Sequence, residues 1–125
     1  MKLQPDIISV QSINSYGPGW IGVAGEKIRH SVIIGSGGER INWACERFED
    51  LRPEHFAQLA EMNAELILFG SGKSLRFPHA AWVQPLIEKQ IGVETMDTEA
   101  ACRTYNVLAS EGRRVIAALL LETTV

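Results

Sequence analysis

The first third of the chain alternates apolar and polar residues with a period near two, which is typical of β-strands. Such stretches occupy residues 6–14, 20–23 and 28–34, and segments rich in glycine separate them. The glycines within positions 35–38 predict a hairpin connection, because glycine tolerates the positive φ that tight turns require. Residues 40–44 then return as a strand. The pattern therefore predicts a set of β-hairpins or a meander.

From Pro53 onward, helical periodicity alternates with short apolar runs of strand length. Pro53 suits the first position of a helix, where its missing N–H leaves no hydrogen bond unmade. Pro85 lies inside the second helical segment, so either that helix kinks or it begins near Gln84. The periodicity predicts helices near residues 53–63, 80–90 and 99–111, buried strands at residues 65–70 and 113–122, and a short strand at residues 91–96.

The order of these elements indicates the fold class. Strands that alternate with helices predict a mainly parallel sheet with right-handed crossovers. Asp97 or Thr98 is expected to cap the third helix, and Gly112 is expected to end it. A length of 125 residues favours one domain spanning residues 1–125. We therefore expect a single α/β domain in which N-terminal β-hairpins join a mixed, mainly parallel sheet.

Composition and charge exclude several classes of protein. Hydrophobic residues make up 46% of the chain, charged residues 22%, and the formal net charge is -3. An acidic balance with scattered basic residues argues against nucleic acid as a partner. No apolar run approaches the roughly 20 residues of a membrane span. Residues 1–10 lack a secretory or mitochondrial targeting pattern, so we expect a cytoplasmic location.

The stretch LILFGSGKSLRFP, residues 66–78, contains elements of a phosphate-binding loop. The P-loop pattern requires a glycine at position 67, where Ile67 stands. A helix should also begin directly after the loop, whereas the chain runs on to Pro78, which disfavours helix at the residue before it. The dinucleotide pattern fails because Leu75 occupies its third glycine position. The glycines therefore predict a tight strand-to-helix turn and not a nucleotide site.

A series of short motifs runs through the second half of the chain. They comprise Gly70-Ser71-Gly72, Phe77-Pro78, Gly92-Val93-Glu94, Met96-Asp97-Thr98, residues 102–108 (Cys-Arg-Thr-Tyr-Asn-Val-Leu) and residues 111–114 (Glu-Gly-Arg-Arg). As a block they resemble the Mth938-like family, a widespread group of small proteins of uncharacterised function. The first third fits the family more loosely, through INSYGPGWIGVAGE and HSVIIG.

The resemblance carries expectations about fold and function. It implies a three-layer α/β fold with a β-hairpin element added to a mixed central sheet. The eukaryotic relatives of this family include a mitochondrial assembly factor of respiratory complex I and an adipogenesis-associated cytosolic protein. The resemblance implies no established catalytic residue, so we expect no cofactor and no catalytic site from it.

Two loops are expected to share one edge of the sheet, because ligands of parallel sheets bind beyond the carboxyl ends of the strands. Lys73, Arg76 and Arg103 add positive charge near a helix N-terminus that favours anions. This predicts a shallow cleft for a small anion or for a carboxylate of a partner protein. The candidate residues are Gly70, Ser71, Gly72, Phe77, Pro78, Asp97, Thr98, Cys102 and Arg103.

Each of these residues also has a purely structural interpretation. Asp97 and Thr98 can simply cap the helix, and Arg103 can be solvent-exposed or bound to an internal acid. Cys102 lies near a helix N-terminus, which lowers a thiol pKa, but no histidine motif supplies a base, and a buried structural thiol is the more frequent case. The histidines show no metal-binding spacing, so no metal site is expected.

Two classes of function therefore compete at this stage. The first is a non-enzymatic binding or assembly-accessory protein with a protein partner, which the family resemblance favours. The second is a small enzyme or a binder of anionic metabolites that uses the cleft at residues 70–77 and 97–103. Trp82, with Leu75 and Phe77, would form an apolar patch suited to a partner or would pack against the sheet. We expect a monomer or a weak homodimer.

Overall fold

The structure is a computed structural model and describes residues 10–122. Eight strands, three helices and a short 3-10 turn at Phe48–Asp50 follow one another along this part of the chain. In sequence order they are β1 (Ser15–Gly17), β2 (Trp20–Val23), β3 (Glu26–Ile28), β4 (Val32–Gly35), β5 (Arg40–Asn42), α1 (Pro53–Ala60), β6 (Leu66–Gly70), α2 (Ala80–Glu88), β7 (Gly92–Met96), α3 (Thr98–Ser110) and β8 (Val115–Leu119).

The strands form two sheets of different character. Strands β1, β2 and β3 make a three-stranded antiparallel sheet, and the other five strands are ordered β5-β4-β8-β6-β7. In this larger sheet β8 pairs parallel with β6, and β6 with β7, whereas β4 is antiparallel to both of its neighbours. The prediction of a mixed sheet is therefore confirmed, whereas the predictions of three layers and of a mainly parallel sheet are not. Two of the sheet's four strand pairs are antiparallel, because β4 runs antiparallel both to β5, to which a tight turn joins it, and to β8.

The predicted strand at residues 6–14 is not observed in the part that the structure describes. Residues 6–9 lie outside the described range, and residues 10–14 form no strand. Side chains of α3 bind this backbone instead. Asn106 accepts a hydrogen bond from the Ile13 N–H (2.9 Å) and donates one to the Ile13 carbonyl (2.8 Å). The Tyr105 hydroxyl donates to the Gln11 carbonyl at 2.7 Å.

Two further boundaries in the first third differ from the prediction. Residues 15–17, expected to break a strand, form β1, because the break falls at Pro18 and Gly19, which turn the chain into β2. The predicted strand at residues 28–34 is divided into β3 and β4, which belong to different sheets. Residues 29–31 carry the chain from one sheet to the other, which periodicity alone does not show.

The helices form where the sequence predicts them. Helix α2 begins at Ala80 and runs through Pro85, so the alternative start near Gln84 is wrong. Proline has no N–H to donate to the carbonyl four residues earlier, which here belongs to the exposed residue Ala81. Asp97 caps α3 by accepting a hydrogen bond from the Ala100 N–H at 2.9 Å. Gly112 has a φ of +82° and follows the helix, as predicted.

Buried apolar residues lie on both faces of the five-stranded sheet. One cluster packs α1 and α2 against residues such as Phe69 and Ile116. The other packs α3 and the three-stranded sheet against residues such as Leu68 and Leu119. Because successive residues of a strand point to opposite faces, burial on both faces explains the continuous apolar runs of β6 and β8. Within residues 10–122, every helix falls short of the length and hydrophobicity that crossing a bilayer demands.

Candidate functional site

The loops after β6 and β7 lie side by side and are joined by backbone hydrogen bonds. The Ser71 N–H donates to the Met96 carbonyl at 2.8 Å. The Gly72 N–H donates to the Thr98 hydroxyl oxygen, and the Thr98 N–H donates to the Gly72 carbonyl, both at 2.9 Å. The Thr98 hydroxyl in turn donates to the Leu120 carbonyl at 2.8 Å, so the end of β8 is tied to the same junction.

Close packing explains the two glycines of this loop. A Cβ at Gly70 would lie 3.1 Å from the Thr98 Cα, so glycine here allows the start of α3 to approach β6. Gly72 has a φ of +102°, which side-chain-bearing residues rarely adopt. A Cβ at Gly72 would lie 2.6 Å from both the Arg76 guanidinium and the Glu122 carboxylate. The glycines thus serve the turn itself, as the sequence predicts.

Ser71 and Arg76 hold the remainder of the loop in place. The buried Ser71 hydroxyl donates to the Ser74 carbonyl at 2.7 Å and accepts from the Arg76 N–H at 2.9 Å. The Arg76 guanidinium donates to the Ser71 carbonyl at 2.7 Å and to the Glu122 carboxylate at 2.5 Å. It also lies 4.7 Å from the centre of the Phe48 ring. These contacts hold residues 71–76 against one another and against Glu122 and Phe48.

A cleft of about 460 Å³ opens beside this junction. Its walls come from the β1–β2 hairpin tip, the loop after β6, the first turns of α3 and the end of β8. The lining residues are Gly17, Pro18, Gly19, Gly72, Lys73, Asp97, Thr98, Glu99, Arg103, Leu120, Leu121 and Glu122. The cleft therefore lies between the β1–β2 hairpin of the smaller sheet and the segments that follow β6, β7 and β8 of the larger sheet.

The cleft carries charges of both signs. Its cations are Lys73 and Arg103, and Arg103 donates to the Tyr16 hydroxyl at 3.2 Å. That hydrogen bond, followed by the nearby charges of Asp97 and Glu99, raises the pKa of Arg103. Glu122 is the third acid of the cleft, and it accepts hydrogen bonds from Arg76 and from the Phe48 N–H (2.9 Å). The mixed charges make the cleft dipolar and not strongly cationic.

The structure brings together six of the nine candidate residues. Gly70, Ser71 and Gly72 lie against Asp97 and Thr98 at the junction, and Arg103 lines the same cleft. Strands β6 and β7 are neighbouring parallel strands, and such strands end at the same edge of a sheet, which explains this proximity.

The other three candidates lie elsewhere. Cys102 is fully buried in the core between α3 and the sheets, and burial raises the pKa of its thiol to about 12. It does not line the cleft, so the structural interpretation of this cysteine is the one that the geometry supports. Phe77 is 69% exposed and Pro78 is half-buried, and neither residue lines the cleft.

Sequence reasoning missed two walls of the cleft. Pro18 and Gly19 form the tip of the β1–β2 hairpin, and a proline followed by a glycine is a turn signal, but nothing in the sequence tells that this turn faces α3. Glu122 gives no sequence signal at all. Its partners Arg76 and Phe48 lie 46 and 74 residues away along the chain, so no local pattern connects Glu122 with them.

Histidine and cysteine residues of the described chain do not line this cleft. Among residues 10–122 no three His, Cys, Asp or Glu side chains gather as a metal site would require. His55 is bound into the backbone: it accepts from the Arg52 N–H at 3.0 Å and lies 2.8 Å from the Ala44 carbonyl. These contacts give His55 a role in fixing the start of α1.

Comparison with protein families provides a clear assignment. Residues 13–120 match the model of a family described as "Protein of unknown function (DUF498/DUF598)". The chain belongs to this family. The match includes both loops, the hairpin tip and α3, so the whole cleft except Leu121 and Glu122 lies within the family region.

Curated relatives include both bacterial and animal proteins. An uncharacterised protein of Rhodobacter capsulatus is 35% identical over 94% of this chain and 90% of its own length. A mouse protein named "NADH dehydrogenase [ubiquinone] 1 alpha subcomplex assembly factor 3" is 27% identical over 94% of this chain and 64% of its own length. The rat protein of that name is 32% identical over 64% of this chain and 44% of its own length. The chain thus spans 44% to 64% of these two assembly factors.

Solved structures share the fold. A crystal structure of a Bordetella parapertussis protein superposes with a TM-score of 0.85 at 35% identity, covering 90% of this chain and 97% of the other. The solution structure of a Bordetella pertussis protein, described as a Mth938-like domain, has a TM-score of 0.79 at 31% identity, with 98% and 93% covered. The resemblance to the Mth938-like family is therefore confirmed.

Proposed function

We propose that this chain is a non-enzymatic binding protein of the assembly-accessory type, which holds a partner protein at the cleft and at the loop beside it. The observation that carries the proposal is the exposure of Phe77 and Leu75 on a fixed loop. Their exposed fractions are 69% and 53%, although Ser71 and Arg76 anchor the segment that bears them. An apolar side chain that is exposed on an ordered loop favours a protein contact, because less backbone entropy is lost when a partner binds than with a disordered loop.

The composition around Arg76 supports the same proposal. Aromatic residues and arginine are enriched among the residues that contribute most to protein interfaces. Arg76 lies over the Phe48 ring, and Phe48 packs against the half-buried Trp82 with ring centres 5.4 Å apart. The mixed charges of the cleft next to this surface suit a protein segment that carries both signs.

The named relatives extend the proposal to a class of partner. The mouse and rat relatives are named as assembly factors of NADH dehydrogenase. We propose a corresponding role in assembly of a respiratory complex, with a partner subunit as the bound protein. Because this chain spans only part of those relatives, the proposal concerns the shared region and not the whole of their activity.

Affinity capture from the source cell tests the proposal. We expect Leu75→Ser and Phe77→Ser to lower recovery of the partner at least tenfold. Val107→Ser is the matched control, because Val107 is 55% exposed and lies on α3 away from the loop. Equal recovery with all three variants would overturn the assignment of the surface, and a stoichiometric metabolite without any protein would overturn the function.

A second candidate function is binding of a small anionic metabolite in the cleft. Lys73 and Arg103 favour it, because both cations line a cavity of small-molecule size. Small molecules retained by the captured protein would be identified by mass spectrometry. Arg103→Ala is expected to remove such a ligand while the fold persists. Arg103 is exposed, and within the described residues its side chain makes one hydrogen bond, to the Tyr16 hydroxyl.

A further inference from the structure

Strand β7 forms one edge of the five-stranded sheet and pairs only with β6 within the described residues. The Gly92 N–H donates to the Glu65 carbonyl at 3.4 Å, and the Met96 carbonyl accepts from Ser71 at 2.8 Å. Backbone groups of alternate residues in a strand face opposite sides, so Gly92, Glu94 and Met96 face β6. The N–H and C=O groups of Val93 and Thr95 therefore face outward, and within residues 10–122 no hydrogen-bond partner lies beyond them.

This edge is less protected than the opposite one. Strand β5, at the other side of the sheet, has three residues, and its Arg40 forms an ion pair of 2.7 Å with Glu26 of β3. Strand β7 has five residues without a proline, and its only charged side chain is the exposed Glu94, which makes no ion pair within the described chain. Natural proteins usually shield long edges with prolines, bulges or several charges.

We propose that the outer edge of β7 binds an extended, basic segment of a partner protein by strand addition. The outward N–H and C=O groups of Val93 and Thr95 offer two donors and two acceptors, enough for four backbone hydrogen bonds to an added strand. Side chains of the added strand would alternate between two environments. One face lies beside the half-buried Val93 and Ile91, which suits apolar residues, and the other lies beside Glu94, which suits lysine or arginine.

Charge decides between a basic segment and a second copy of this chain. Pairing of two copies about Glu94 would place two carboxylates opposite each other, which is unfavourable in a sheet. The formal net charge of -3 also favours approach of a basic segment. None of residues 93–95 lines the cleft, so this second surface goes beyond the proposed function.

Selection from a displayed library of random nonapeptides tests the proposal directly. We expect enriched peptides to alternate apolar residues with lysine or arginine. Their binding should slow amide hydrogen exchange at Val93 and Thr95 at least tenfold. Thr95→Pro removes an outward N–H without touching the ladder to β6, and it should weaken these peptides at least tenfold. Glu94→Lys, which leaves the backbone unchanged, should weaken them similarly, whereas Glu46→Lys at an exposed loop position should not.

Several results would overturn the proposal. One is a selection that enriches no peptide protecting Val93 and Thr95 from exchange. Another is peptides that bind Thr95→Pro as tightly as they bind the parent chain. A third is exchange protection at β7 that rises with protein concentration in the absence of peptide, which would identify a second copy of this chain as the occupant. Phe77→Ser and Arg103→Ala should leave peptide binding unchanged, so failure at β7 is distinguishable from failure of the cleft surface. Thermal melts of each variant verify folding.

Discussion

At the scale of single residues, Gly72 permits both the backbone conformation of the loop and the ion pair between Arg76 and Glu122. A side chain at a φ of +102° costs about 1–2 kcal/mol for the backbone conformation alone. At Gly72 a methyl group would also displace the Arg76–Glu122 pair. We expect Gly72→Ala to lower the free energy of unfolding by about 2–4 kcal/mol, as measured by urea denaturation.

Gly38→Ala is the matched control for this prediction. Gly38 has a φ of +97°, and a Cβ there would have no atom within 4 Å, so only the conformational cost applies. We expect Gly38→Ala to cost at least about 1 kcal/mol less than Gly72→Ala. Equal losses for the two variants would show that the ion pair contributes nothing to the loop.

The two thiols provide a prediction on pH. Burial raises the pKa of Cys45 and of Cys102 to about 12, from an ordinary value of 9.0. The folded state therefore keeps these protons at a pH where the unfolded state loses them. Their contribution to stability is complete below about pH 9 and is lost as the pH rises toward 12. We expect the free energy of unfolding to fall over this interval, measured by denaturation at successive pH values.

Alkylation offers an independent check on the thiols. At pH 8 we expect iodoacetamide to modify both cysteines at least ~100-fold more slowly in the native protein than in urea, because burial limits both access and thiolate formation. Rapid modification of native Cys102 would show that its thiol reaches solvent, and would return it to the candidate site.

At the scale of elements, one side chain attaches the N-terminal segment to α3. The Asn106 side chain forms hydrogen bonds with both the N–H and the carbonyl of Ile13, as a neighbouring strand would do in a sheet. We expect Asn106→Ala to destabilise the protein by about 1–3 kcal/mol, because it leaves two backbone groups of a buried residue unpaired. Amide exchange at residues 10–14 should accelerate more than exchange in β6 or β8. Thr104→Ala, two residues earlier on α3, is the control and should leave that exchange unchanged.

At the scale of the whole molecule, we expect the loop at residues 70–77 to bind no nucleotide. Hydrogen bonds of Arg76 to Ser71 and to Glu122 hold this loop in a compact turn. In addition, β6 carries Ile67 at the position where a P-loop requires glycine. We expect titration calorimetry with magnesium ATP or GTP to give no binding at micromolar concentrations. Binding that Lys73→Ala abolishes would contradict this interpretation and would assign the loop to phosphate.

The sequence predicted the second half of the fold well and the first third less well. The three helices, β6, β7 and β8 lie within a few residues of their predicted ranges, because each carries its own periodicity or cap. In the first third, strands of three or four residues leave too short a pattern to define boundaries. The split between two sheets depends on which strands pair, and that is a long-range choice.

For the candidate site, the sequence by itself determined that the loops after β6 and β7 meet, because adjacent parallel strands end at one edge. It also determined family membership, since the motifs at residues 70–114 are specific as a block. Only the tertiary structure decided that Cys102 is buried, that Glu122 binds Arg76 and that the β1–β2 tip closes the cleft. Local patterns fix elements and caps. The hydrogen bonds of Glu122 and of Arg103 instead join residues 46 to 87 positions apart, and only the tertiary fold brings such residues together.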